Sequence, residues 1–186
     1  MEVWDKMTEL KRLGLVKNIG TSNQTRKTMD LLLRDTDDFN RPTYNQMELH
    51  PLFQQKEFVQ FLIENKIAPS GYMSLGSPRR PGRDRFPEHQ SDMQHHIIQS
   101  ISAQTGLTPP QVCLAWAHQR ENNQVGYVSM AERSDWIKSN LLGATQNVLS
   151  NEQFQLIDGN NTEDSDLSNN VDIIDLCVGD CSQADL

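Results

Sequence analysis

The sequence predicts an α/β fold in which helices cover a parallel sheet. Three observations support this prediction: short β-like apolar segments alternate with longer segments of helical periodicity, the alternation recurs along the chain, and residues that start or end helices separate the two kinds of segment. Strands that are separated by helices pair in parallel through right-handed connections. In such sheets a ligand lies at the carboxyl ends of the strands.

The first predicted element is a helix over residues 3–13. Val3, Met7 and Leu10 fall three and four residues apart, and acidic residues come early and basic residues late, as the helix dipole favours. Gly14 then provides the left-handed conformation that commonly ends a helix. The chain therefore opens with an amphipathic helix.

Three small polar residues, Thr-Ser-Asn at 21–23, lie between a predicted strand over 15–20 and a predicted helix near 24–34. Two interpretations are open. Spacing alone favours Ser22 or Asn23 as the residue that caps the helix. Alternatively, these side chains face a ligand at the carboxyl edge of the sheet.

The same order of elements repeats in the rest of the sequence. Thr108 with Pro109 marks a helix start, and Ser150 with Gln153 has the spacing of a capping box. The further strands are predicted at 44–49, at 67–75, where Pro69 interrupts the pattern, and at 125–130; the further helices at 53–66, 91–105, 109–120 and 135–142, with a last short helix before Gly159.

Charge is distributed unevenly along the chain. Of 25 acidic residues, nine follow Lys138, which leaves 16 acidic and 17 basic residues up to that point. This near-neutral body with an acidic C-terminal segment does not favour nucleic acid or an anionic membrane as a partner. Much of 160–186 is polar, acidic and of low complexity, so we expect a disordered tail after a domain of residues 1–159.

Cysteine content and hydropathy predict a cytoplasmic protein. Three cysteines without a dense framework are typical of a reduced compartment, and no apolar run approaches the roughly 18 residues of a membrane span. Cys177 and Cys181 supply only two ligands and have no adjacent histidine. We therefore expect no metal site.

Four segments carry a resemblance to a known family. GLVKNIGTSN, NQMELHP, GYMSLGSP and TPPQVCLAWAHQR occur in the order and with the spacing found in the second half of an aldo-keto reductase, over roughly residues 1–160. This family forms (β/α)8 barrels that reduce carbonyl compounds with a nicotinamide cofactor. The resemblance implies a partial (β/α)8 TIM barrel of about four βα units.

The resemblance assigns cofactor-binding roles to several residues. Ser22, Asn23 and Gln46 match the groups that hydrogen-bond the nicotinamide carboxamide, and Tyr72 matches the aromatic residue that stacks on the nicotinamide ring. Hydroxyl and amide groups suit a neutral carboxamide, which needs both donors and acceptors. From Tyr72 we expect the ring to fix which face of the nicotinamide donates hydride.

Other matched positions concern the remainder of the cofactor. Leu75 and Ser77 match the loop along the pyrophosphate, and Asn140 matches an adenine contact. Where the family usually has a lysine and an arginine for the 2′-phosphate of NADPH, this chain has Met130 and Trp136. The expected cofactor is therefore NADPH, with weakened selectivity over NADH.

The catalytic tyrosine, aspartate, lysine and histidine of the family lie on the first half of the barrel, and nothing in residues 1–186 corresponds to them. His50 falls outside that set, and a buried structural histidine is the favoured interpretation. The sequence thus predicts an oxidoreductase by family whose nicotinamide side is retained but which is weakly active or inactive alone. A small carbonyl compound is the expected substrate if the barrel is completed.

A second function from a different class stays open. A sheet of four βα units has two exposed edges, which invite pairing with another chain. The chain would then be a non-catalytic interaction protein that binds a protein partner through its sheet edges and acidic tail.

Overall fold

Four parallel strands form one sheet in the order in which they occur along the chain. The computed structural model describes residues 2–76, 91–145 and 148–160. The strands are β1 (Thr21–Ser22), β2 (Tyr44–Glu48), β3 (Ala68–Tyr72) and β4 (Gly126–Tyr127); the helices are α1 (Glu2–Arg12), α2 (Arg26–Arg34), α3 (Lys56–Glu64), α4 (His96–Thr105), α5 (Pro109–Gln119), α6 (Ser134–Ala144) and α7 (Asn151–Asp158). The predicted α/β class with a parallel sheet is confirmed.

The two outer strands are shorter than predicted, and the first is shifted. β1 begins at Thr21, after the predicted segment 15–20, and β4 covers only two of the six residues predicted at 125–130. β2 and β3 each have five residues and pair with a neighbour on both sides. Each outer strand pairs with only two residues of its five-residue neighbour.

Helix ends follow the local signals with one correction. Gly14 has a φ of 72° after α1, and capping boxes join Thr108 to Gln111 and Ser150 to Gln153. The preferred interpretation of Ser22 or Asn23 as the cap of α2 is wrong. Thr25 is the cap. Its Oγ1 accepts from the Thr28 N–H, and its backbone N–H donates to the Thr28 hydroxyl.

The predicted helix over 91–105 is broken near its start. A 3₁₀ turn covers Asp92–Gln94, and α4 begins only after His95, whose extended backbone separates the two. The predicted helix over 53–66 is also shortened, because Gln55 adopts a left-handed conformation immediately before α3.

The hydrophobic core lies between the sheet and its helices, in two connected clusters. One cluster joins α4, α5 and α7 around Trp116, and the other joins α2 and α3 to the inner strands around Met47 and Leu49. Tyr127 contacts both clusters. In β2 every second residue is buried, and Gln46 and Glu48 between them are only half-buried. The sheet therefore presents an apolar face to the helices and a polar face on its other side.

Some predictions concern residues outside the described ranges. These are Ser77, the pair Cys177 and Cys181, and the acidic tail from residue 161 onward. Within the described ranges, no helix is both long and apolar enough to cross a lipid bilayer. The same part of the chain contains no group of three or more His, Cys, Asp or Glu side chains that could hold a metal ion.

Close packing of α6 on α5 depends on Gly143. A Cβ atom at Gly143 would lie 2.8 Å from the Cα atom of Gln111 and 3.0 Å from its carbonyl oxygen. Overpacking of this kind costs about 1–3 kcal/mol, which exceeds the gain of up to ~1 kcal/mol that alanine brings to a helix. We expect Gly143→Ala to lower the free energy of unfolding by about 1 kcal/mol in urea denaturation.

Gly126 provides the control for this prediction. A Cβ atom there would meet no atom closer than 3.8 Å, so Gly126→Ala adds the same methyl group without a clash. Equal stability losses in the two variants would contradict a special role of the α5–α6 contact.

Candidate functional site

Asn23 connects three strands at the carboxyl edge of the sheet. It follows β1 directly and has a left-handed backbone, with a φ of 55°. Its N–H donates to the carbonyl oxygen of Gln46 at 2.8 Å, and its Oδ1 accepts from the Tyr72 hydroxyl at 2.8 Å. Three residues that the sequence assigns to one ligand are thus brought together.

Gln46 belongs to a polar row across the same face of the sheet. Strand register aligns Ser22 with Gln46 and Gln46 with Ser70, and the Gln46 side-chain amide donates to the Ser70 hydroxyl at 3.3 Å. Ser70 was missed at the sequence level. The signal that could have found it is its position two residues before Tyr72, on the same face of a predicted strand.

The row keeps hydrogen-bonding capacity for a ligand. Within the described residues, no partner is found for the Asn23 Nδ2, the Gln46 Oε1 or the Ser22 hydroxyl. These three groups comprise an amide donor, a carbonyl acceptor and a hydroxyl that does both. A planar, neutral amide is the kind of ligand that such a set matches.

The side chain of Asn45 fixes the connection between β1 and α2. It is fully buried, and its Oδ1 accepts from the Thr21 hydroxyl at 2.9 Å and from the Gln24 N–H at 3.4 Å. Its Nδ2 donates back to the Gln24 carbonyl at 3.5 Å. Asn45 therefore fixes the backbone on both sides of Ser22 and Asn23, a role that the sequence alone did not reveal.

Removing this amide should loosen the connection and destabilise the fold. Asn45→Ala removes three hydrogen bonds of a fully buried side chain to the half-buried residues Thr21 and Gln24, and we expect a loss of about 1–3 kcal/mol in the free energy of unfolding. Urea denaturation measures it. Asn18→Ala, the same change at an exposed position, should leave stability unchanged within about 0.5 kcal/mol.

Leu75 lies in a turn after β3, and its side chain packs against the α4–α5–α7 cluster. The Gly76 N–H closes the turn by donating to the Met73 carbonyl at 2.7 Å, and Ser91 donates its hydroxyl to the Leu75 carbonyl at 3.4 Å. Only the backbone N–H of Leu75 is thus suited to a phosphate. Ser77, predicted for the same loop, lies outside the described residues.

The predicted adenosine side lies at β4 and α6. Asn140 donates to the Ser129 hydroxyl at 3.3 Å, which ties α6 to the chain after β4. Met130 is 84% exposed and Trp136 is 47% exposed, so neither is a core residue. Both side chains are therefore accessible to a ligand at this end of the sheet.

Arg133 is a cation beside Trp136, and it is already engaged. Its guanidinium donates twice to Asp135, at 3.1 and 2.8 Å, and lies 5.0 Å from the centre of the Trp136 ring. The hydrogen bonds from Arg133 lower the pKa of the Asp135 carboxyl. A phosphate would have to compete with Asp135 for Arg133.

His50 follows β2 and lies between two carboxylates. Nδ1 is 2.9 Å from the Asp92 Oδ2, and Nε2 is 3.2 Å from the Glu48 Oε1. Burial would lower the pKa of His50, but the hydrogen bonds and charges of Asp92 and Glu48 outweigh burial and raise this pKa from 6.5 to about 9. The ring is therefore an imidazolium at neutral pH, and both nitrogens donate. The structural role predicted for His50 is to join the Asp92 and Glu48 carboxylates through its two ring nitrogens.

Fold and site together define a parallel α/β protein with a row of amide and hydroxyl side chains at the carboxyl edge of its sheet. The sequence pattern of the aldo/keto reductase family matches residues 1–162. This chain belongs to the aldo/keto reductase family, as the four segments in the sequence predict.

Sequence similarity to named proteins supports the same family. The chain is 34% identical over 119 residues to an aldo/keto reductase, slr0942, of Synechocystis, which is 63% of this chain and 35% of that protein. It is 33% identical over 132 residues to glycerol 2-dehydrogenase (NADP(+)) of Hypocrea jecorina, which is 70% of this chain and 38% of that protein. The aligned segments thus span well under half the length of these relatives.

Comparison with solved structures supports the fold. The structure of aldose reductase from Giardia lamblia superimposes with a TM-score of 0.72 at 24% identity, over 84% of this chain and 48% of that chain. The four-stranded sheet therefore corresponds to about half of an aldo/keto reductase barrel, as predicted.

Proposed function

We propose that the chain binds a nicotinamide cofactor at the carboxyl edge of its sheet and, by itself, lacks the group that protonates the substrate. The observation that carries the proposal is that Asn23, which follows β1, contacts Gln46 of β2 and Tyr72 of β3, with amide groups left for a ligand. The name of the Hypocrea relative includes NADP(+), which supports a nicotinamide cofactor for this chain also.

Each residue has a chemical task in this proposal. The Asn23 Nδ2 donates to the carboxamide oxygen of the nicotinamide, and the Gln46 Oε1 with the Ser22 hydroxyl receives the carboxamide N–H groups. The Tyr72 hydroxyl is held by Asn23, so its ring has a fixed orientation for stacking. The cofactor itself supplies a hydride for a carbonyl carbon.

Fewer contacts support the proposed binding of the pyrophosphate, the adenine and the 2′-phosphate. The turn at Leu75 and Gly76 would meet the pyrophosphate through the backbone N–H of Leu75, together with Ser77, and Asn140 would contact the adenine. With Met130 and Trp136 in place of two cations, NADPH should have only a small advantage over NADH. Arg133 can contribute little to binding of the 2′-phosphate, because its guanidinium already donates to Asp135.

A proton donor for the carbonyl oxygen is the missing element. The sequence has three tyrosines, and Tyr72 is engaged with Asn23. Tyr44 lies at the start of β2, at the opposite edge of the sheet, and the Tyr127 hydroxyl is buried, which raises its pKa. Neither lies beside the carboxamide-binding groups. Low turnover with small aldehydes and ketones is the expected consequence.

Calorimetric titration of the full chain with NADPH and with NADH tests the proposal. We expect both cofactors to bind and Asn23→Ala to weaken binding about tenfold, since it removes a ligand contact and the anchor of Tyr72. Asn151→Ala, at the exposed start of α7, is the matched control and should bind as the parent does. A folded chain that binds neither cofactor would overturn the cofactor site.

Turnover tests the second half of the proposal separately. Aldehyde reduction by the purified chain should not exceed that of the Asn23→Ala variant. Turnover that persists through purification and drops in Asn23→Ala would show that the chain has its own proton donor.

A second candidate function is protein binding through the sheet edges. The observation that favours it is an apolar groove of about 470 Å³ beside β1, lined by residues of α1, α2 and β1 that include Val3, Met7 and Leu32. Val128 and Met130 expose apolar surface at the β4 edge. A partner that supplies further strands of a barrel would cover both surfaces, with the acidic tail as an additional contact.

Sedimentation velocity discriminates this function from the first. The chain is run alone and mixed with a purified complete barrel of the same family. Concentration-dependent association that Val128→Glu weakens would support partner binding. A folded monomer at all concentrations and in the mixture would contradict it.

A further inference from the structure

Asp92 is a buried carboxylate that joins two separate parts of the chain. It is 1% exposed, and its Oδ2 accepts from the His50 ring at 2.9 Å and from the Leu52 N–H at 3.1 Å. His50 and Leu52 belong to the segment after β2, whereas Asp92 lies in the 3₁₀ turn before α4. The carboxylate therefore fixes this turn against the end of β2.

The same carboxylate lies directly against Gly76. Gly76 has a φ of 65°, and a Cβ atom there would collide with the Asp92 side chain and lie 2.8 Å from the Asp92 backbone nitrogen. Ser91 donates to the Leu75 carbonyl beside it. The described residues on either side of 77–90 thus contact one another, and Asp92 is at the centre of that contact.

Several titratable groups surround this contact. Glu48 on β2 accepts from the second nitrogen of His50 at 3.2 Å. His95, at the start of α4, and the buried Cys113 of α5 also sense the charge of Asp92. The Glu48 carbonyl is held by the Gln55 side chain at 2.7 Å.

We propose that Asp92, held by His50, is a positioning residue that keeps the Leu75–Gly76 turn in the form that meets the pyrophosphate of the nicotinamide cofactor. This inference rests on the proposed cofactor site. Asp92 does not contact the cofactor. It acts through Gly76, because the three atoms nearest to the Cβ position of Gly76 all belong to Asp92.

Geometry explains why this link matters for binding. The turn and the carboxamide row lie at the ends of neighbouring strands, and a cofactor that spans both requires a fixed distance between them. Asp92 and His50 join the end of β2, which carries Gln46, to the turn after β3. Loss of the link would let the turn move relative to the row and weaken cofactor binding.

The charge state of His50 gives the link a pH dependence. The pKa of His50 is about 9 in the folded chain and about 6.5 when unfolded. The stabilisation is therefore fully present below pH 6.5 and is lost as pH rises through 9. Above that pH, one of the two carboxylates no longer receives a hydrogen bond from the ring.

The first test measures NADPH affinity by calorimetry between pH 7 and 10. We expect the parent and His118→Gln, a control histidine in α5, to lose about tenfold in affinity over this range. His50→Gln should bind more weakly at pH 7 and show no such dependence. Asp92→Asn should also weaken binding, while Asp92→Glu restores part of it. A pH profile of His50→Gln identical to that of the parent would overturn the proposal.

The second test needs neither cofactor nor variant. Carbon-13 NMR follows the His50 ring and the Cα atoms of Leu75 and Gly76 through a pH titration of the full chain. We expect all three to titrate together with a midpoint of about 9. If the Cα chemical shifts of Leu75 and Gly76 do not change as His50 titrates, the positioning role is overturned. If the parent chain binds no nicotinamide but the three signals titrate together, the cofactor site fails and the link itself stands.

Discussion

The double variant Met130→Lys with Trp136→Arg is expected to prefer NADPH over NADH about 10²- to 10⁴-fold more strongly than the parent chain does. Each new cation adds a charge-assisted hydrogen bond to the 2′-phosphate, worth about 1.5–3 kcal/mol. Both positions are exposed, so the core is not disturbed. Loss of the Trp136 ring also removes one of the contacts that hold Arg133. Calorimetric titration with both cofactors gives the ratio.

A variant of equal charge elsewhere is the control. Leu13→Lys with Leu31→Arg adds two cations at positions that are 65% and 48% exposed, away from β4 and α6. General attraction of an anionic cofactor would raise affinity in both double variants. An unchanged NADPH to NADH ratio in Met130→Lys with Trp136→Arg would show that the 2′-phosphate lies elsewhere.

Trp116→Ala is expected to lower the free energy of unfolding by about 3–5 kcal/mol. Trp116 is completely buried in the cluster of α4, α5 and α7. Its ring lies 5.2 Å from the guanidinium of Arg120, which is itself 1% exposed. The change creates a cavity and removes the aromatic neighbour of a buried cation. Urea denaturation followed by circular dichroism measures the loss.

Trp136→Ala is the matched control for this change, because the same side chain is removed from an exposed site on α6. We expect it to cost less than about 1 kcal/mol. Similar losses in the two variants would contradict a core centred on Trp116.

The predicted helices agree best with the structure where a local signal marks their ends. Gly14, Thr108 and Ser150 act through hydrogen bonds or backbone angles within four residues, which a sequence displays directly. The misassigned cap of α2 has the same origin. Thr25 competes with Ser22 and Asn23 for one role, and contacts from β2 and β3 decide the outcome by holding Asn23 elsewhere.

Strand lengths and much of the site depend on partners far away in sequence. β1 forms by pairing with β2, and the contacts of Asn45 and Asp92 reach residues about 20 and 40 positions distant. A local sequence pattern does not reveal which distant residues come into contact. Asn23, Gln46 and Tyr72 were identified through a family resemblance, and their roles toward a cofactor stay predictions.

The two-residue outer strands also bear on how the chain behaves at high concentration. Fibrils grow when long, flat edges recruit identical segments by backbone pairing. β1 and β4 each present only two residues in regular extended form, and helices adjoin both. We therefore expect little amyloid seeding from the native state, and a greater hazard from unfolded chains in which the five-residue inner strands become accessible.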